Sequence, residues 1–179
     1  CLGFEACRWD GQTMASPPVE SLRGWVDFVT VCPEVALGLG VPRPPIRVVR
    51  GDGGNRLLQP STGANLTAAM RHTCANILNN LGEVDGILLM GRSPSCGLGD
   101  VKLYAAVDDT EPIGRTDGFL AAAMTKRLPF LPRQNEGEWN DVRRRERFLT
   151  GVFTHADFRR ARAAGDMGGL VEFHSRHKY

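Results

Sequence analysis

Residues 84–99 read VDGILLMGRSPSCGLG, an apolar run that passes directly into a loop of glycine, serine and proline around one cysteine. A short continuous apolar run bounded by turn residues is typical of a buried strand in a parallel sheet. The segment before it, residues 67–82, places Met70 and Cys74 on one face of a predicted helix that ends at Gly82. A helix followed closely by a buried strand predicts an α/β fold with a Rossmann-like parallel sheet.

Outward from this stretch, hydrophobic spacing and turn residues predict the other elements. They are a helix within 19–29, a short strand before Cys32, strands at 46–49 and 101–107, a hairpin-like connection over 56–67 with Thr67 as a helix cap, and a helix over 118–127. From Asp141 onward the pattern predicts helices only.

The chain divides into an α/β domain over 1–129, a linker over 130–140 that is punctuated by proline and glycine, and a helical, basic module over 141–179. It begins with Cys1 rather than methionine, and its last residues stop within a helical pattern without a cap. Both ends are therefore expected to be cut, so that the strand before Cys1 is missing and the helical module is partial.

Composition indicates an ordinary globular protein, with 42% apolar and 23% charged residues. The longest apolar runs are too short to span a bilayer and no signal peptide opens the chain, which predicts a cytoplasmic location without a membrane segment. Net charge is +2, yet residues 141–179 carry nine Lys and Arg against five Asp and Glu. This basic module is either a phosphate-binding surface for nucleic acid or a solvated helical surface.

Five cysteines without a secretion signal favour metal binding or catalysis over a disulfide framework. Cys74, on an apolar helix face, is expected to be structural. Cys32 and Cys96 each follow a predicted strand, and Cys1 lies in a similar loop. Because ligands bind outside the carboxyl ends of parallel strands, these three thiols either converge on an iron–sulfur cluster or are three unconnected loop cysteines.

Four segments together resemble the thiouracil desulfidase family. They are CLGFEACRWDG at 1–11, VCPEVALGLGVPRPP at 31–45, GANLTAAM at 63–70 and GRSPSCG at 91–97. The stretch from 128 to 153 resembles the start of an uncharacterised helical domain that is often fused behind this family. Proteins with both parts are similar to desulfidases that act on thiolated uridine in transfer RNA, whereas single-domain relatives act on free thiouracil.

The resemblance implies that Cys1, Cys32 and Cys96 hold a four-iron, four-sulfur (4Fe-4S) cluster in which one iron has no protein ligand. It also implies catalytic roles for Glu34 and Ser93. The activity implied is a non-redox desulfidase that converts thiouracil-type bases, 4-thiouridine in transfer RNA above all, to uracil or uridine and releases hydrogen sulfide. The substrate is then a thiolated nucleobase, nucleoside or transfer RNA, and no electron donor is needed.

Other interpretations of the same residues remain open. Glu34 could cap a helix or pair with Arg43, and Ser93 could only shape a turn. Cys7 is either a bystander or a ligand of the fourth iron. At the level of function, the alternatives are a cluster-bearing RNA-binding or sensor protein without turnover, and a zinc hydrolase that uses the same thiols with Glu34.

Two further expectations concern the loop that follows Cys7 and the residues just before SPSCG. Arg8 and Asp10 are expected to fix the first loop rather than to take part in chemistry. Family members commonly carry a lysine shortly before SPSCG, whereas this chain reads Met90-Gly91-Arg92, which puts a substrate-binding role for that lysine in doubt.

Overall fold

In the computed structural model, which describes residues 1–178, helices and strands alternate in an α/β architecture. The helices are α1 (Pro17–Leu22), α2 (Pro33–Ala36), α3 (Thr67–Asn80), α4 (Phe119–Arg127), α5 (Val142–Ala164) and α6 (Met167–Arg176). The strands are β1 (Arg47–Val49), β2 (Arg56–Gln59), β3 (Ala64–Asn65), β4 (Ile87–Leu89), β5 (Val101–Tyr104), β6 (Gly114–Thr116) and β7 (Arg133–Asn135).

The strands form two groups. Five of them make a sheet in the order β3-β2-β1-β5-β6, in which β1 runs parallel to β5 and the other neighbours are antiparallel. The second group is the parallel pair β4 and β7. The predicted α/β class with parallel strands is confirmed, although the larger sheet is mixed because its pairs β1–β2, β2–β3 and β5–β6 are antiparallel.

The main core lies between the larger sheet, α3 and α4. Val48 of β1 and Leu57 of β2 are fully buried against Met70 and Cys74, which confirms the predicted inward face of α3. Ile87 and Leu89 of β4 belong to the same cluster. The buried strand β4 therefore delivers the serine- and glycine-rich loop that follows it from a fixed position.

Three predicted details of the secondary structure are wrong. The helix expected within 19–29 ends at Leu22, and the residues before Cys32 form no strand; Val29 is 63% exposed, and no strand in the described part of the chain pairs with that segment. Thr67 is the first residue of α3 instead of its cap, because its Oγ1 accepts a hydrogen bond from the Leu57 backbone N–H at 2.9 Å. A contact with a distant strand therefore decides the position of Thr67.

The C-terminal part is helical, as predicted from Asp141 onward. The Asp141 carboxylate caps α5 by accepting from the backbone N–H groups of Arg143 and Arg144 at 3.0 and 3.1 Å. Within the predicted linker over 130–140, β7 pairs with β4, and Trp139 packs against Phe148 of α5. The division into domains stays a prediction, and Tyr179, the last residue of the 141–179 module, lies outside the described residues.

The helices of the protein differ from membrane-spanning helices. None of those within residues 1–178 combines the length and apolar composition that crossing a membrane requires.

Candidate active site

The loop after β4, residues 91–97, is built around Ser93. The Ser93 Oγ accepts hydrogen bonds from the backbone N–H groups of Ser95 at 3.3 Å and Cys96 at 3.2 Å, which closes a tight turn. The loop is tied to distant segments as well, because Gly91 N–H donates to Glu136 Oε2 at 2.5 Å. These bonds fix the directions in which the serine and cysteine side chains point.

The first turn of α4 supports the same loop from behind. Phe119 and Leu120 donate their backbone N–H groups to the carbonyls of Pro94 and Ser95, at 3.2 and 2.8 Å. A Cβ added to Gly118 would lie 2.6 Å from the Ser95 carbonyl carbon and 2.7 Å from the Cys96 nitrogen. Only glycine allows this close backbone approach.

Glu34 enters the site from α2, one residue after Pro33 starts the helix. Glu34 is buried, with 7% of the residue exposed, and its carboxylate pairs with the Arg43 guanidinium, with 2.8 Å between Oε2 and Nε. Arg43 also donates to the carbonyls of Cys7 at 2.8 Å and Gly40 at 2.9 Å. The alternative in which Glu34 pairs with Arg43 is therefore correct in geometry, and it is compatible with a chemical role for the carboxylate.

Both serines of the SPSC segment face Glu34. Ser95 Oγ donates to Glu34 Oε1 at 2.5 Å, and Ser93 Oγ lies 3.4 Å from the same oxygen. The two hydroxyl oxygens are 3.1 Å apart. Residues that lie 59 and 61 positions from Glu34 in the sequence thus form one hydrogen-bonded group with it.

One cavity of about 1020 Å³ brings all the predicted site residues together. Its lining includes each of the five: Cys1, Cys32, Cys96, Glu34 and Ser93. Within residues 1–178, no three His, Cys, Asp or Glu side chains meet closely enough to hold a single metal ion. The ligands of a four-iron cluster bind different irons, so they do not need to meet at one point.

The thiols of Cys32 and Cys96 are held in their neutral form when no metal is bound. Burial raises the pKa of Cys96 to about 12, and the neighbouring Glu34 carboxylate adds to the effect. Burial also raises the pKa of Cys32, whereas the backbone N–H groups of Val35 and Glu34 act in the opposite direction by hydrogen bonding to its sulfur. Cys32 thus has amide donors in place for a thiolate, the form that binds iron.

The two other cysteines differ in their surroundings. Cys74 is packed in the main core, where burial raises its pKa to about 11, and the prediction of a structural role agrees with this position. Cys7 is buried yet lines the cavity, where its sulfur contacts the Cys1 nitrogen and its carbonyl lies 3.8 Å from Cys32 Sγ. It is therefore a fourth thiol of the cavity.

The loop that follows Cys7 is held by an ion pair. Arg8 and Asp10 pair at 3.1 Å, and Asp10 also accepts from the Gln12 backbone N–H at 3.1 Å. The expectation that these two residues fix the loop agrees with this geometry. Trp9, between them, lines the cavity and accepts a hydrogen bond on its carbonyl from the Arg43 N–H at 2.8 Å.

Comparison with known proteins shows which family shares the part of the chain that lines this cavity. A family profile described as 2-thiouracil desulfurase matches residues 1–136. The chain belongs to that family. The uncharacterized protein YbbK of Bacillus subtilis (strain 168) is 30% identical over 149 residues, covering 79% of this chain and 95% of YbbK. The solved structure of the 4Fe-4S-dependent thiouracil desulfidase TudS matches with a TM-score of 0.59 and 26% identity, covering 79% of this chain and 89% of TudS.

Membership of the 2-thiouracil desulfurase family confirms the resemblance drawn from the four segments. The match extends to residue 136 and so includes β7, which the sequence analysis assigned to a linker. Sequence reasoning missed Ser95 and Glu136 as site residues. The second serine of SPSC was the available signal for Ser95, whereas no local pattern links Glu136 to a loop 45 positions away.

Proposed function

We propose that this protein is a 4Fe-4S-dependent desulfidase that removes sulfur from thiouracil-type bases and releases it as hydrogen sulfide. The observation that carries the proposal is the shared cavity of Cys1, Cys32, Cys96, Glu34 and Ser93. The 2-thiouracil desulfurase family and the likeness to TudS, which is itself a 4Fe-4S-dependent thiouracil desulfidase, support the same chemistry.

The donor set fits an iron–sulfur cluster. Cys1, Cys32 and Cys96 would hold it, since cysteine thiolates are the usual ligands of such clusters. The amide donors at the Cys32 sulfur supply the hydrogen bonds that thiolate ligands accept. Three protein ligands leave one iron free, and when bound the cluster supplies a Lewis acid for the thiocarbonyl sulfur of the base.

The protein residues supply the proton transfers. Glu34, which is paired with Arg43, accepts a proton from the water that attacks the thiocarbonyl carbon. Ser93 is half-buried, reaches the cavity and donates its hydroxyl to the water or the base. The proton held by Glu34 then passes to the departing sulfur. The net reaction replaces C=S by C=O and converts water to hydrogen sulfide, so no electrons are consumed.

The finer proposal is that the thiolated base is presented within transfer RNA, as 4-thiouridine. Small-molecule sites typically enclose about 300–1000 Å³, and a cavity at the top of this range leaves room for more than a free base. Arg159 and Arg160 of α5 lie at the cavity, and Arg143 and Arg147 on the same helix are exposed. Exposed arginines attract phosphates in a way that added salt weakens.

Anaerobic reconstitution with iron and sulfide, followed by the thio-base absorbance of 4-thiouracil, 4-thiouridine and thiolated transfer RNA, tests the proposal. We expect the absorbance to disappear only with reconstituted protein, and Cys32→Ala and Cys96→Ala to abolish the loss. Cys74→Ala, which removes a thiol outside the cavity, serves as the matched control and should remain active.

Three results would contradict the proposal. A full cluster without loss of any thio-base would favour a sensor or RNA-binding protein. Sulfide release by protein that contains zinc and no iron would favour a zinc hydrolase. Turnover of free 4-thiouracil with no turnover of thiolated transfer RNA would overturn the finer proposal while leaving the desulfidase in place.

A further inference from the structure

Glu34, the base of the proposed function, is almost wholly enclosed by protein. Its Oε2 accepts from Arg43 Nε at 2.8 Å, and its Oε1 accepts from Ser95 Oγ at 2.5 Å. Because each oxygen already holds a protein donor, proton exchange with a molecule in the cavity is best served by a hydroxyl group that is hydrogen-bonded to the carboxylate.

Ser95 lies where that group is needed. It is 1% exposed, and its Oγ is 2.5 Å from Glu34 Oε1 and 3.1 Å from Ser93 Oγ. The direct distance from Ser93 to Glu34, 3.4 Å, is longer than either of these two steps. The better hydrogen-bonded path from the cavity to the carboxylate therefore runs through both serines.

The direction of this path follows from the number of protons available. A serine hydroxyl has one proton, and Ser95 gives it to Glu34, so Ser95 Oγ can only accept from its other neighbours. Those neighbours are Ser93 Oγ at 3.1 Å and Cys96 Sγ at 3.8 Å. A Cys96 thiolate that binds iron has no proton to donate, which leaves the Ser93 hydroxyl as the donor.

We infer that Ser95 is a positioning residue that bridges Ser93 to Glu34 and relays a proton between them. The inference rests on the proposed function. A water molecule in the cavity gives a proton to Ser93 Oγ, Ser93 gives its own to Ser95 Oγ, and Ser95 gives its own to Glu34 Oε1. One proton leaves water and one arrives at the carboxylate, and the hydroxide formed attacks the thiocarbonyl carbon without any change in oxidation state.

Ser95→Ala in the reconstituted full chain tests this inference. We expect kcat to fall about 100-fold, the lower range of general acid–base contributions, with KM within about twofold of the original value. Cluster absorbance and iron content should be unchanged. Ser95→Thr keeps the hydroxyl and should recover most of the lost rate. Ser16→Ala is the matched control, because Ser16 is 2% exposed and its Oγ has no hydrogen-bond partner in the described part of the chain.

A proton inventory in mixtures of H2O and D2O adds a measurement that a purely structural role would not change. The original protein should give a curved plot, because several protons move together, and Ser95→Ala should give a smaller, linear effect. If Ser95→Ala keeps kcat within about threefold while Glu34→Gln and Ser93→Ala are inactive, the bridge is refuted and the desulfidase stands.

The bridge can also be tested without turnover, so that failure of the desulfidase proposal would not hide the result. The infrared band of the Glu34 carboxylate is isolated by subtracting the spectrum of Glu34→Gln from that of the original protein. Loss of the 2.5 Å bond in Ser95→Ala should shift this band, whereas Ser93→Ala, at 3.4 Å, should move it less. A band at the same frequency in Ser95→Ala would overturn the inference.

Discussion

Ion pairs occur in two contrasting settings, the cavity and the helix α5. Glu34 and Arg43 pair with their side chains 10% and 3% exposed, whereas Arg162 of α5 pairs with Glu83 with side chains 61% and 64% exposed. Removing a charge from water is costly, so a buried pair persists only when further hydrogen bonds satisfy it. The buried group therefore has a fixed geometry suited to chemistry, whereas the exposed pair of Arg162 and Glu83 contributes little to stability.

Among the substitutions considered, Arg43→Met should have the largest effect on stability. It leaves the Glu34 carboxylate buried without its partner and removes the donors to the carbonyls of Cys7 and Gly40. Breaking one side of a buried pair costs about 3–5 kcal/mol, so the free energy of unfolding should fall by that amount. Urea denaturation measures it. A loss below about 1 kcal/mol would mean that the Glu34–Arg43 pair behaves like an exposed ion pair, and the contrast with the pairs of α5 would be wrong.

A smaller loss of stability is expected from Gly118→Ala, in the backbone that supports the SPSC loop. In Gly118→Ala the new methyl group overlaps the Ser95 and Cys96 backbone at 2.6–2.7 Å, and overpacking of this kind typically costs about 1–3 kcal/mol. We expect lower stability in thermal unfolding and less iron bound after reconstitution. Gly114→Ala is the control, since its Cβ meets nothing within 4 Å. Equal behaviour of the two variants would show that α4 does not hold the loop.

On α5, the pair of Asp85 with Arg159 has a predictable dependence on pH. The hydrogen bond from Arg159 lowers the pKa of Asp85 in the folded state. The stabilisation is therefore complete above the unfolded pKa, about 4, and is lost as the pH falls through the lower folded value. Asp85→Asn should lose less than about 1 kcal/mol at pH 7 and progressively less below pH 4. A difference that grows as the pH falls below 4 would contradict this sign.

The smallest effect should come from the exposed pair itself. Arg162→Met removes an ion pair with both partners in solvent, and such pairs contribute about 0–1 kcal/mol. We expect unfolding curves that nearly coincide with those of the original protein. A loss comparable to that of Arg43→Met would erase the distinction between the two regions.

Local patterns were enough to predict much of the fold. The apolar run at 84–90 and the face of α3 with Met70 and Cys74 are properties of short segments; the run contains the buried strand β4, and the helix face points into the core as predicted. The strand expected before Cys32 failed because a strand needs a neighbour to pair with, and β-branched residues alone do not provide one. The mixed sheet likewise depends on pairing between distant segments.

Only some of the residues of the candidate site could be predicted from the sequence. The loop cysteines, Glu34 and Ser93 stand in short segments that the family shares, so their positions in the chain were visible. Ser95 was not, because its role depends on a carboxylate 61 positions away. The folded chain reveals which side chains share a hydrogen bond, and no periodicity or spacing in the sequence carries that information.

The most direct test of the central claim compares Glu34→Gln with the original protein at equal cluster content. Both are reconstituted anaerobically, matched by iron and by cluster absorbance, and mixed with 4-thiouridine while the thio-base absorbance is followed. We expect loss of the band with the original protein and at least about a 100-fold slower loss with Glu34→Gln. Equal rates would contradict the claim that this buried carboxylate performs the chemistry of the cavity.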